Sequence, residues 1–100
     1  MNVLVTDGNQ RSALAITRSL GRRGASVIVG EESDRCLASS SRYCTRRITY
    51  PSPYREPDAF DRFIARLVVE GRFDVVMPVS DVTTYAIARN QDALRPHAGL

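Results

Sequence analysis

One hundred residues, 43% of them hydrophobic and 25% charged, make a single folded domain of about the usual domain size, small for a complete metabolic enzyme. The absence of a long apolar span and of any low-complexity stretch argues against a membrane-spanning or disordered chain, and Met1-Asn2 runs straight into strand residues without a leader pattern, so the cytoplasm is the expected location. The net charge of +3 is spread along the sequence, with no recognition helix or aromatic-basic motif, so neither nucleic acid nor a membrane is an expected partner.

Asn2 to Thr6 is a near-continuous apolar run, the pattern of a strand covered on both faces. Gln10 to Arg23 follows as a helix with Ala13, Ile16, Thr17 and Leu20 on one face, closed by Gly21-Arg22-Arg23-Gly24. Ser26 to Gly30 reads as strand two. Ser33 to Ser40 reads as a short helix, weakened by Ser39, Ser40 and Ser41, which favour caps and turns.

Arg46 to Tyr50 alternates as strand three, and Pro51 and Pro53 stop it as a ladder strand, leaving Tyr50-Pro51-Ser52-Pro53-Tyr54 as a stiff connection. The clearest helix has Phe60, Phe63, Ile64, Leu67 and Val68 at i, i+3, i+4, i+7 and i+8, with Asp58 near its start and Gly71 at its end. Phe73 to Val79 is strand four. Ser80-Asp81 then opens a helix to about Asn90, with Val82, Tyr85, Ala86 and Arg89 along its inner face.

Strands alternating with helices argue for an α/β fold: a Rossmann-like open parallel sheet of four strands in the order 3-2-1-4, with helices on both faces. Right-handed crossovers put four loops on one edge of that sheet: Asp7 to Arg11, Gly30 to Ser33, Tyr50 to Tyr54 and Val79 to Thr83. The switch point falls between strands one and four, so Asp7, Gly8, Ser80 and Asp81 are expected to flank a crevice.

Each candidate residue also has a plain structural role. Asp7-Gly8 is a turn dipeptide whose glycine can supply a positive φ. Asn9 can cap the first helix, or the free N–H groups there can attract an anion that Arg11 pairs with. Ser80-Asp81 is either an N-cap or a binder of a substrate amine or hydroxyl. Glu31-Glu32 occupies the place of a ribose-binding acid, with solvated loop carboxylates the simpler reading. Tyr43, Tyr50 and Tyr54 either line a pocket or pack beside prolines.

Several chemistries lack their residues. The first loop has no GxGxxG, there is no GxxxxGK[ST], and strand three ends in Tyr50-Pro51 where a phosphoacceptor aspartate would stand. Cys36 and Cys44 fit neither a zinc nor a redox motif and read as buried or half-buried free thiols. His97, the one histidine, sits behind Pro96 as a surface residue, so no catalytic set and no metal site is expected. All fourteen basic residues are arginine, which high-GC coding explains more simply than phosphate or carboxylate recognition.

Three segments carry a family resemblance: VLVTDGNQRSALAITRSLGRRGASVIVGEE, SSRYCTRRITYPSPY and FDVVMPVSDVTT. In order and spacing they resemble the N-terminal, Rossmann-like domain of ATP-grasp carboxylate-amine ligases, closest to those related to the carbamoyl-phosphate synthase large subunit. The resemblance runs from Met1 to about Asn90 and implies ATP-dependent joining of a carboxylate to an amine through an acyl-phosphate. ATP and magnesium would be held by ATP-grasp domains of the same polypeptide or of a partner chain, and none is expected to bind this domain alone. By loop position the resemblance gives Asp7, Gly8, Asn9, Arg11, Ser80 and Asp81 a role in binding a small carboxylate or amine, with no catalytic residue among them. The alternative is a stand-alone small-ligand or interaction module with the same fold, in which an unpaired strand three or four could form a homodimer.

Overall fold

In a computed structural model, which describes residues 1–33 and 36–100, the elements follow in the order β1 (Asn2–Val5), α1 (Arg11–Arg22), β2 (Ser26–Glu31), a 3₁₀ turn (Ala38–Ser40), β3 (Cys44–Thr49), α2 (Pro57–Gly71), β4 (Val75–Met77), α3 (Asp81–Arg89) and α4 (Gln91–Leu94). The four strands are all parallel in the order β3-β2-β1-β4, as the alternating pattern predicts. Val3, Leu4 and Val5 pair with Val27, Ile28 and Val29 on one side and with Val75, Val76 and Met77 on the other. This domain is a Rossmann-like α/β sheet.

Because side chains alternate across a strand, the sheet feeds two separate cores. Leu4, Ile28 and Val76 face α2, α3 and α4, where Phe60, Ile64, Val68, Ala86, Ile87 and Leu94 close over them. Val3, Val5, Val27 and Val29 face α1, where Ala13 is buried and Leu14, Ile16 and Leu20 pack at the margin. Burying each large aliphatic or aromatic side chain contributes on the order of 1.5–3 kcal/mol, so both faces of β1 and β2 hold the fold.

Several boundaries differ from the sequence reading for identifiable reasons. Only Ala38–Ser40 of the expected 33–40 helix is helical, as one 3₁₀ turn; residues 34 and 35 lie outside the described residues. β4 is three residues long because Pro78 has no N–H to continue the ladder. Its outer edge is partly covered by the chain's own end, where Val75 bridges Gly99 and Val76 N–H donates to the Gly99 carbonyl at 2.8 Å. β3 is the other edge strand, and exposed Thr45, Arg46 and Arg47 blunt it.

The inner face of α3 is Thr83, Ala86 and Ile87, whereas Tyr85 stands 67% exposed. A capping box sets this phase: the Ser80 hydroxyl accepts from Thr83 N–H and Thr83 faces back to the cap, which turns position 83 inward. α4, unforeseen from the sequence, buries Leu94 against the α2–α3 core.

The left-handed residue of the first loop is Asp7, at φ 58°, and not Gly8. Aspartate is among the residues that tolerate this region. Gly8 is instead required by close approach, since an added Cβ would lie 2.1 Å from Cys36 Sγ and 2.7 Å from Val29 Cγ1. Its N–H donates to the Gly30 carbonyl and its carbonyl accepts from Ala38, so the loop is held flat over the end of β2. Gly8→Ala is therefore expected to cost about 1–3 kcal/mol by overpacking, read as a lower urea midpoint with unchanged slope. An unchanged midpoint would show that the 36–38 segment yields without strain.

Candidate functional site

Four loops meet at the carboxyl edge of the sheet, and Asp7 joins three of them, two through its carboxylate and the third through its backbone N–H. Its Oδ2 accepts from Thr6 Oγ1 at 2.5 Å, Thr83 Oγ1 at 2.6 Å, Ser80 N at 3.0 Å and Val79 N at 3.3 Å, and its Oδ1 accepts from Ser80 Oγ at 3.1 Å. Asp7 N–H in turn donates to the Tyr50 hydroxyl at 3.0 Å. A carboxylate at the end of β1 thus sits on the N-terminus of α3, where backbone N–H groups and the helix dipole favour a negative charge. The two threonine hydroxyls spend their protons on it and accept from Val79 N and Ser80 N.

Beside this clasp lies a cleft of about 230 Å³ lined by Asp7, Asn9, Gln10, Glu31, Glu32, Ser33, Tyr50, Pro53, Tyr54 and Ser80. Of the six residues predicted from loop position, Asp7, Asn9 and Ser80 are brought together here. Gly8 is buried beneath the loop. Arg11 is exposed on the first turn of α1, and Asp81 borders a separate apolar dent with Val82, Tyr85 and Pro53. Asn9 does not cap α1: Gln10 is the N-cap residue, while Asn9 Oδ1 accepts from Leu37 N at 3.0 Å and ties the 3₁₀ turn to the loop.

Glu31 is not the solvated acid the sequence suggests. It is 7% exposed, and its two oxygens accept from Asn9 N at 3.4 Å and Ser33 N at 2.8 Å. Glu32 Oε2 is shielded from solvent and has no hydrogen-bond partner among the described residues. Among the described residues three carboxylates and no basic side chain line the cleft, so their field favours a ligand amine or hydroxyl over an anion. No group of three His, Cys, Asp or Glu among the described residues is placed to hold a metal ion.

Tyr50, weighed in the sequence as packing or lining, does both. Its ring is 4% exposed and meets Phe60 edge to face at 5.0 Å, while its hydroxyl reaches the cleft floor. The short helix-free connection after it is held by Ser52, whose Oγ accepts from Tyr54 N and Arg55 N, each at 3.2 Å. The proline flanks signal such stiffness in the sequence; the role of Tyr50 as acceptor for Asp7 has no local sequence signal.

No family model matches this chain, and no curated protein is similar to it in sequence. No helix among the described residues is long and apolar enough to cross a membrane.

Two outcomes follow from the clasp. Asp7→Ala removes the charged acceptor that the Thr6 and Thr83 hydroxyls and the Ser80 N–H share, leaving them the longer contacts to Thr83 Oγ1 and the Ser80 carbonyl at 3.1–3.3 Å; with hydrogen bonds to a charged group contributing about 1.5–3 kcal/mol each, a total loss of at least about 2 kcal/mol is expected in urea unfolding. A loss under about 0.5 kcal/mol, the range of an ordinary surface substitution, would show the clasp to be dispensable. Burial first, then the charges of Asp7, Glu31 and Glu32, push the Tyr50 phenol far above its ordinary value. The unfolded chain releases that proton near pH 10 while the folded chain keeps it, so stability is intact below about pH 10 and falls as pH rises above it. Tyr50→Phe should flatten that alkaline decline; an identical slope in both proteins would place its origin elsewhere.

Proposed function

We propose that this chain is the substrate-side domain of an ATP-dependent carboxylate-amine ligase of the ATP-grasp class, acting in the cytoplasm and inactive by itself. The observation that carries this reading is that the three segments bearing the resemblance, far apart in sequence, converge on one cleft. DGNQR contributes Asp7, Asn9 and Gln10, YPSPY contributes Tyr50, Pro53 and Tyr54, and PVSD contributes Ser80. A cleft this small, open at the carboxyl edge of the sheet, is suited to form one wall of a site that a second domain completes.

Within that wall the chemistry favours the amine partner of the reaction. Glu31 and Glu32 hold negative charge beside Gln10 and Ser33, and the Tyr50 hydroxyl accepts from Asp7 N–H while keeping its own proton. An ammonium or hydroxyl group docked here meets acceptors, whereas a carboxylate or phosphate meets repulsion. ATP and magnesium belong to the companion ATP-grasp domains, which supply the acyl-phosphate chemistry. The described residues contribute neither a glycine-rich phosphate loop nor a metal-binding cluster.

Calorimetry of the isolated chain with magnesium-ATP should show no saturable heat; micromolar binding would overturn the placement of the nucleotide outside this domain. A parallel NMR titration with a panel of amino acids and their deaminated analogues should shift amides of residues 9–10, 31–33, 50, 52 and 54 only when the amine is present. Shifts that depend on the carboxylate alone would overturn the assignment of the cleft to the amine.

A further inference from the structure

Part of the positive charge that looks dispersed along the sequence is gathered by the fold: Arg22, Arg23 and Arg42 stand at the C-terminal end of α1, away from the cleft, whereas Arg11 opens α1 at the cleft edge. Residues 8–30 and 36–55 contain no Asp or Glu, yet hold eight arginines: Arg11, Arg18, Arg22, Arg23, Arg42, Arg46, Arg47 and Arg55. With 100° per residue, Arg11, Arg18 and Arg22 fall within about 40° of one another on the outer face of α1. Ala15, small and exposed, lies beside them, and Arg18, Arg22, Arg23, Ala15 and Ser19 line a shallow groove of about 470 Å³.

At the C-terminal end of that groove two guanidinium groups share one tyrosine. Arg42 Cζ lies 5.0 Å and Arg22 Cζ 5.8 Å from the centre of the Tyr43 ring, and Arg42 Nη2 donates to Tyr43 Oη at 2.9 Å. The arrangement is built into the helix. Gly21 faces the tyrosine so closely that an added Cβ would lie 2.4 Å from Tyr43 Cβ, and a glycine inside a helix costs about 1 kcal/mol relative to alanine. The phenol is pulled below its ordinary value by these same two arginines, Arg42 first. Among the described residues the one ion pair is Arg89 with Asp61, so no carboxylate neutralises Arg18, Arg22 or Arg42. The helix C-terminus offsets a fraction of one charge, not three.

We propose that Arg22 and Arg42, which share the Tyr43 ring at the C-terminal end of α1, together with Arg18 one turn back along that helix, form a binding site for a phosphoryl group. Two forked donors held against one ring suit a phosphate dianion, which bridges guanidinium groups through paired N–H···O bonds. The groove offers Ala15 and Ser19 and no large apolar anchor, so it lacks what a protein interface core or a membrane-inserting face requires. The phosphoryl group can belong to a small molecule or to a nucleic-acid backbone; both present the same atoms to the site.

The test is an NMR titration of the labelled chain with inorganic phosphate at constant ionic strength, using chloride as the control and a fifteen-residue oligothymidylate as a second probe. Phosphate should move the amides of residues 18–23 and 42–43 and saturate, with at least tenfold weaker binding in Arg42→Ala and Arg22→Ala. Arg42→Lys, which keeps the charge and loses the fork, should fall between. Saturation by phosphate marks a small phosphorylated ligand. Binding of the oligonucleotide at the same amides, steeply weakened by salt, without saturation by phosphate marks a backbone phosphate. Shifts that chloride reproduces, that survive both alanine substitutions or that fall elsewhere overturn the site.

Discussion

Parallel α/β sheets bring the ends of their strands to one edge, but nothing in that topology ties the loops there to each other. In this domain the tie is electrostatic: the Asp7 carboxylate gathers the Thr6, Ser80 and Thr83 hydroxyls and the Val79 and Ser80 N–H groups onto one point. β1 and β4 are neighbours in the sheet, so a charge at the end of β1 lies against the first turn of the helix that leaves β4. That contact explains the αL backbone of Asp7, because only from there does its carboxylate face the start of α3 while its N–H faces Tyr50. Through Tyr50 the same residue reaches the segment after β3. One residue thereby couples strands one, three and four through its side chain and its backbone N–H, and the cleft inherits its rigidity from a carboxylate whose own acceptor capacity is largely taken.

The consequence is a division of labour among the acids of this edge. Asp7 is engaged by internal donors, and Glu31 is engaged by the amides of Asn9 and Ser33. Glu32 has an oxygen shielded from solvent and unmatched among the described residues. A ligand that brings a donor to this edge therefore meets a fixed negative field made by residues that do not need to move. The raised Tyr50 phenol belongs to the same field: it stays neutral because ionising it would add another negative charge in a buried place.

Much of this architecture is legible in the chain because it rests on periodicity. Phe60, Ile64 and Val68 announce α2, and the valines of β1 and β2 announce strands covered on both faces. The strand order follows from alternation of elements and the handedness of their crossovers. The site is only half legible. Loop position brings Asp7, Asn9 and Ser80 to the cleft, but Arg11 and Asp81 share those loops and point elsewhere, since one residue's step along a helix turns a side chain by 100°. The phase of α3 depends on Thr83 engaging Ser80 and Asp7, a contact across 76 residues that no local pattern encodes. Gly8 carried a correct signal of constraint with the wrong cause, because a close approach by Cys36 and a positive φ leave the same residue type in the sequence.

The direction of α1 organises the charge of the whole domain. Its N-terminus lies at the carboxyl edge, beside Glu31 and Glu32, and its C-terminus lies at the opposite edge, with Arg22 in its last turn and Arg23 at its cap. Arg22 and Arg23 complement the negative end of the helix dipole, whereas Arg11 in the first turn does not complement the positive end. The fold thereby sets Glu31 and Glu32 beside one end of α1 and Arg22 and Arg23 at the other. The two ends are suited to ligands of opposite sign, about 18 Å apart along the twelve-residue helix. Because α1 is packed on the sheet through Ala13, Leu14, Ile16 and Leu20, the separation is fixed by the core rather than by the loops. Occupancy of one end can then influence the other only through the field of the helix between them or through a shift of that helix against the sheet, and the close packing of Tyr43 on Gly21 opposes such a shift.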